Sequence, residues 1–156
     1  MYTNPKDNLR FSNVVSKKVN FYYKNMEEEV NNFFKSITSK KLSAKGPFFY
    51  SINSLPMAEQ VEGEFFMPIH EDLIFDLYDL DFHSYYSIEN MVSTCIYEDI
   101  ENNTELAYFN LITYINDNNL YQITPIFHIV SGDSSMRYVF VKIGVTERQK
   151  NRDAFK

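Results

Sequence analysis

Two stretches of this chain repeat one another at a distance of half its length. Gly46-Pro47-Phe48-Phe49-Tyr50-Ser51-Ile52 is answered by Thr124-Pro125-Ile126-Phe127-His128-Ile129-Val130, and Pro47 and Pro125 lie 78 positions apart in a sequence of 156. At that offset and without a gap, Leu42 falls on Leu120, Phe49 on Phe127, Ile52 on Val130, Ile37 on Ile115, Phe33 on Leu111 and Val14 on Val92. Self-similarity at a fixed spacing sets architecture ahead of local propensity, because each copy is one supersecondary unit that buries its apolar face against the next. The chain reads as one unit used twice.

The first unit has a clear order. Residues 1 to 10 are polar around Pro5 and are expected to form a flexible lead-in. From Phe11 to Tyr23 the β-branched and aromatic residues favour a strand, with Val15, Val19 and Phe21 on one face and Val14 and Tyr22 on the other. Asn25 is placed to cap a helix, with Glu28 three residues on and Glu27 to Glu29 suited to the positive end of the helix dipole. Met26, Val30, Phe33, Phe34 and Ile37 form one helical stripe, and Lys40 with Lys41 suits its C-terminal end. Adjacent glutamates on a helix point in different directions, so this triplet is a solvated face rather than a metal site. Gly46-Pro47 breaks the chain; Phe48 to Ser54 and Val61 to Ile69 read as strands around a turn at 57 to 60.

The second unit repeats that β-α-β-β order. Phe82 to Tyr97 supplies one bent strand or two, and Asp99 can cap a helix whose stripe is Ile100, Thr104, Ala107, Leu111 and Ile115. Asn116-Asp117-Asn118-Asn119 stops it, and Ile123 to Val130 and Arg137 to Val145 follow as strands around a turn at 131 to 135. The expected fold is therefore α+β: a duplicated β-α-β-β unit with pseudo-twofold symmetry, an antiparallel sheet with two helices on one face and a cleft on the other. Its single domain spans 11 to 146, with repeat one at about 11 to 69, an acidic linker at 70 to 81 that suits a strand or a short helix, repeat two at about 82 to 146, and a polar tail at 147 to 156.

Composition narrows the chemistry. A net charge of −6 shows no basic face for phosphates, so nucleic acid is not an expected partner. The lone Cys95 excludes an internal disulfide and a cysteine metal cluster; with no apolar leader at the N-terminus and no bilayer-length run, a cytoplasmic protein without membrane contact is expected. Twelve tyrosines and 14 phenylalanines, with no tryptophan, suit either an aromatic core or an aromatic-lined cavity. His70-Glu71-Asp72 follows a proline as loop, with His83 and His128 off any ligand spacing, so no metal or cofactor is expected. Without a GxSxG, P-loop or dinucleotide fingerprint, the expectation is a non-enzymatic protein with no catalytic residues.

Alternation gives a candidate binding face. Phe49 and Phe127 share one face of their strands and Tyr50 and His128 the other, the second pair expected to point away from the helices. Glu62, Glu64 and Phe66 share a face, and Tyr138, Phe140 and Lys142 share the corresponding one if a two-residue slip is allowed. The ligand-binding set read from the sequence is thus Tyr50, Glu62, Glu64, Phe66, His128, Tyr138 and Phe140. The same face could instead form a homodimer interface or pack under the linker.

The element order, Gly46-Pro47-Phe48-Phe49-Tyr50, Met67-Pro68-Ile69, Asp99 to Ile115 and Asn118-Asn119-Leu120 before Pro125 resemble the GyrI-like domain, the effector-binding domain of bacterial multidrug-responsive transcription activators. The resemblance covers roughly residues 10 to 145. It implies a cleft between the repeats that binds small, often cationic and aromatic molecules, with tyrosines stacking on them and a buried glutamate balancing charge. Where that family commonly has an acidic residue followed by an aromatic, this chain has His128-Ile129, so the charge would come from Glu62 or Glu64. No helix-turn-helix segment is read ahead of the domain, so a stand-alone relative is expected.

Phe11-Ser12-Asn13-Val14-Val15 and Gly46-Pro47-Phe48-Phe49-Tyr50-Ser51-Ile52-Asn53 are also similar to stretches of uncharacterised Gram-positive proteins, some encoded beside type VII secretion systems and their LXG toxins. That likeness implies an accessory, chaperone or immunity-like role through a protein partner. Two expectations therefore stand together: a small aromatic or amphipathic ligand in the cleft, or a protein partner.

Overall fold

The computed structural model describes residues 1–53, 59–72 and 77–148. The expected turn at 57 to 60, much of the 70 to 81 linker and nearly all of the polar tail therefore lie wholly or partly outside the described residues. The elements are β1 (Asn4–Tyr22), α1 (Met26–Ser39), β2 (Phe49–Ile52), β3 (Gln60–Pro68), β4 (Asp81–Ile96), α2 (Ile100–Asp117), β5 (Leu120–Gly132) and β6 (Arg137–Glu147). This is the β-α-β-β order twice. All strand pairs are antiparallel, and the sheet curves far enough to close as a barrel in the order β1-β3-β2-β5-β6-β4, with β4 returning to β1.

Both helices lie against the outer face of that sheet. Phe33 and Ile37 of α1, and Ala107, Leu111 and Ile115 of α2, join one core with Val15, Phe65, Val141 and Ile143. The stripes do this because each places its apolar residues on one side of the helix, and burying a ring such as Phe33 contributes about 2 kcal/mol. A second core fills the barrel, where Leu9, Val14, Phe49, Phe66, Met91, Phe127 and Ile129 meet. The helix starts fall where the sequence placed them. However, neither Asn25 nor Asp99 caps through its side chain: a turn of 3-10 helix at Tyr23–Asn25 leads into α1, and the Asp99 carboxylate accepts hydrogen bonds from the Asn102 side chain.

Residues 4 to 10 are not a loose lead-in. They form the first part of β1, pair with β4, and send Leu9 into the barrel. Alternation along β1, already irregular between Asn4 and Asp7, is broken at Asn13, whose φ is +56°. Leu9 and Phe11 before it and Val14 after it therefore all reach the barrel interior, although a straight strand would turn Val14 outward. Asn90, φ +59°, does the same in β4 between Ile88 and Met91. These two kinks are 77 residues apart, so in the first strands the repeat slips by one: Val14 matches Met91 inside the barrel, and Val15 matches Val92 beneath the helices. Elsewhere the offset of 78 holds.

The described part of the linker runs on the helical side. Leu77 and Leu80 pack into the outer core, and Asp79 accepts a hydrogen bond from Ser36 and pairs with Lys40 of the α1 C-cap. It does not cover the barrel mouth.

Candidate functional site

The barrel opens at one end into a cleft of about 620 Å³, walled by β1, β2, β3, β4 and β5. β3 supplies its charge. Because Val61, Phe65 and Met67 turn toward the helices, Glu62 and Glu64 turn the other way and line the cleft, one exposed and one half-buried. Gly63 lies between them where β3 presses on β2. A Cβ there would stand 1.9 Å from the Ser51 carbonyl oxygen, so no side chain fits.

Tyr86 and Phe127 line the cleft, above the buried rings of the barrel core. Phe49 stacks on Phe66 with ring centres 4.6 Å apart and on Phe11 at 4.9 Å, while Tyr86 leans over Phe66 at 4.8 Å and over Phe127 at 6.4 Å. Burial, assisted by the Glu64 charge, pushes the Tyr86 phenol up to about 12, so it remains a neutral hydrogen-bond donor. Lys18, Asn20 and Ser51 add polar groups to the walls, and Lys18 is the direct cross-strand partner of Glu64. Two carboxylates against one ammonium beside the Tyr86 and Phe127 rings form a site suited to a flat aromatic molecule bearing positive charge, held by ring contact and Coulomb attraction.

The sequence-predicted residues divide among three places. Glu62 and Glu64 line this cleft as its acidic wall, with Phe66 buried beneath it in the barrel core against Tyr86 rather than lining it. Tyr138 and Phe140 lie edge to face at 5.7 Å on the inner face of β6, and Phe140 lines a different hollow of about 470 Å³ with Tyr2 and Cys95. No two-residue slip is needed to relate β3 to β6: Val61 and Val139, and Phe65 and Ile143, hold equivalent core places at an offset of 78. Glu64 then corresponds to Lys142, which pairs with Asp7 at 3.1 Å. Burial works to raise the Asp7 carboxyl, but the Ser93 hydroxyl, the Asn8 amide and Lys142 outweigh it and hold it low.

Tyr50 and His128 are not in the cleft at all. Alternation correctly separated them from Phe49 and Phe127, but the side facing the helices is theirs. The phenylalanines point into the barrel, while His128 is buried beneath α2 with the Tyr108 hydroxyl on its Nε2. Burial holds the imidazole neutral, down to about 3, although the carbonyls of Tyr50 and Ile126 act the other way. Periodicity specifies that two faces differ without saying which meets the helices.

Tyr86, Ser51, Lys18 and Asn20 escaped the sequence reading. Tyr86 was hidden by the kinks at Asn13 and Asn90, which no hydrophobic pattern marks. Tyr108 was legible, since it lies eight positions beyond Ile100 on the same stripe. Ser16 and His83 also come together, Oγ to Nε2 at 2.9 Å, but Ser16 is wholly buried and the pair serves to tie β1 to β4. Among the described residues no three His, Cys, Asp or Glu side chains are grouped to hold a metal, and Glu71 instead accepts a hydrogen bond from the Ser43 amide. No helix among them is long and apolar enough to cross a membrane.

The model of a domain of unknown function, DUF5085, matches residues 10–147, both repeats and so both walls of the cleft. The chain belongs to the DUF5085 family. Among solved structures, this DUF5085 chain is similar to the crystal structure of the EcmrR C-terminal domain, with a TM-score of 0.67 at 13% identity, covering 95% of this chain and 100% of that one. It is also similar to EcmrR in a cryo-EM complex with DNA, TM-score 0.69 at 13% identity over 94% of this chain, and there it spans only 58% of the EcmrR chain. An uncharacterised conserved protein from Listeria innocua follows at a TM-score of 0.57 and 8% identity, covering 90% of this chain and 92% of that one. At these identities the likeness is one of fold, and the DUF5085 fold here is GyrI-like. Among curated proteins none matches the sequence. None of the matches named here concerns type VII secretion or its toxins.

Proposed function

We propose that this protein is a non-enzymatic GyrI-like binding domain that holds a small aromatic or amphipathic molecule, preferably a cationic one, in the cleft between its repeats. The observation that carries this reading is the placement of Glu62 and Glu64 in one cleft with the Tyr86 and Phe127 rings, the Tyr86 phenol being neutral. A carboxylate near an apolar floor gains little from burial of its own and favours a cation that brings its own aromatic surface. The GyrI-like fold shared with the EcmrR C-terminal domain supports the reading, since the resemblance to that fold implies a small-molecule cleft between the repeats.

The test uses ethidium, a flat fluorescent cation. Its emission should rise on titration with the protein, and Glu64→Gln or Tyr86→Ala should each weaken binding at least about tenfold, the equivalent of roughly 1.4 kcal/mol. Equal affinity in both variants and the parent would reject the cleft as the site.

A second reading rests on a different surface. Leu106 and Phe109 of α2 are 47% and 66% exposed, and Tyr97 before the helix is 63% exposed. Such side chains suit a protein partner, in the sense of an accessory, chaperone or immunity-like factor of a secretion or toxin system. Co-purification of a stoichiometric protein that is lost in Phe109→Glu would favour it over the small-molecule reading.

A further inference from the structure

The two helices agree on their buried side and differ on their exposed one. At the offset of 78, Phe33 and Ile37 of α1 match Leu111 and Ile115 of α2, and all four are buried. On the outer side the same offset sets Glu28 against Leu106 and Asn31 against Phe109. Glu28 and Asn31 are exposed, and Leu106 and Phe109 are as well, at 47% and 66%. A helix of this fold is therefore complete with polar side chains at these two places. The apolar pair on α2 serves something other than the fold, since large side chains left in water mark a contact surface when they are contiguous.

They are contiguous with more. Leu106 lines the hollow of about 470 Å³ that holds Phe140, together with Tyr2 and Tyr97, which are 77% and 63% exposed. Phe109 extends the apolar strip by a turn of the helix. The charge around it has one sign. Glu98, Glu101 and Glu105 are exposed, α2 carries no Lys, Arg or His, and no ion pair among the described residues engages these three carboxylates. An anionic lipid surface or a nucleic acid would be repelled here. Resting on the protein-partner reading, we propose that this face docks a basic amphipathic helix of a partner protein. Its apolar side chains enter the hollow and lie on Leu106 and Phe109, while its lysines or arginines meet Glu98, Glu101, Glu105 and the exposed rings.

The probe is a fluorescein-labelled synthetic helix with leucine at i, i+3, i+4 and i+7 and lysine elsewhere. Two controls keep the leucines and replace every lysine by glutamine or by glutamate. In anisotropy titrations with the full chain, the lysine peptide should bind at least about tenfold tighter than the glutamine peptide, and the glutamate peptide should not bind. Leu106→Ser and Phe109→Ser should each weaken the lysine peptide at least about fivefold with Tm unchanged. Glu101→Gln combined with Glu105→Gln should lower both the affinity and its dependence on salt, whereas Glu64→Gln should bind like the parent. If the glutamine peptide binds as tightly as the lysine one and Leu106→Ser still weakens it, the basic partner is wrong and the protein-partner reading survives. If no peptide binds, or if Leu106→Ser and Phe109→Ser bind every peptide like the parent, both are rejected. A dimer of this chain that separates in Phe109→Ser would assign the face to a second copy and overturn the proposal.

Discussion

The rings of Tyr50 and His128 lie face to face, 4.5 Å between centres and 6° from parallel. They are cross-strand partners in the pairing of β2 with β5, and they are also equivalents in the repeat. A residue can be both only where the pseudo-twofold axis crosses the sheet, so the axis runs between these two rings. The neutral imidazole has one acceptor nitrogen. Since the Tyr108 phenol is held protonated by burial, its hydroxyl donates to Nε2, and the imidazole proton sits on Nδ1, which has no well-placed partner of its own.

Removing that donor should be costly. Tyr108→Phe leaves Nε2 buried and unpaired and is expected to lower unfolding free energy by about 1–3 kcal/mol in urea denaturation. Adding His128→Phe should then cost less than it does in the parent, because the orphaned acceptor is gone. Additive losses would show that the hydrogen bond contributes nothing.

The same histidine predicts a pH dependence. Its folded value, about 3, lies below the ordinary 6.5, so the unfolded chain takes up a proton that the folded one refuses. Stability is full above about pH 6.5 and falls on acidification through the window down to about 3, by up to about 1.4 kcal/mol per unit. Asp7, held low in the fold, acts in the same direction below the ordinary aspartate range. Between pH 6 and 4 the slope should therefore be visibly shallower in His128→Phe than in the parent; identical slopes would count against a buried neutral imidazole.

Tyr86 reports on the cleft without any ligand. Its phenol is raised first by burial and then by Glu64. In Glu64→Gln its titration midpoint, followed by absorbance of the phenolate, should move down while staying above the ordinary value of about 10. A midpoint that does not move would separate Glu64 from the ring.

Deleting residues 1 to 9 should damage the fold rather than trim it. The deletion removes Leu9, only 2% exposed, and the Asp7 carboxylate that holds Ser93 and Lys142. A truncated chain is expected to lose several degrees of Tm or fail to fold, whereas a melting curve like the parent's would restore the lead-in reading.

Gly63→Ala tests the cleft wall. The added methyl would meet the backbone of Ser51, which cannot swing aside, so a loss of about 3 kcal/mol or more is expected by thermal or chemical denaturation. A neutral effect would mean that β2 and β3 can part there.

The sequence by itself determined the duplicated β-α-β-β order, the positions of both helices and the pairing of Glu62 with Glu64 on one face. Those follow from local periodicity and a fixed offset, which every copy of the unit must satisfy. Only the tertiary structure decided that the sheet closes on itself, that Phe49 and Phe127 rather than Tyr50 and His128 point into the barrel, and that Tyr86 completes the cleft. Alternation fixes relative facing and stops at any residue with positive φ. The left-handed turns at Asn13 and Asn90 reset it twice, and the choice between inside and outside came from packing two helices on one face of a sheet whose other face had to close over its own rings.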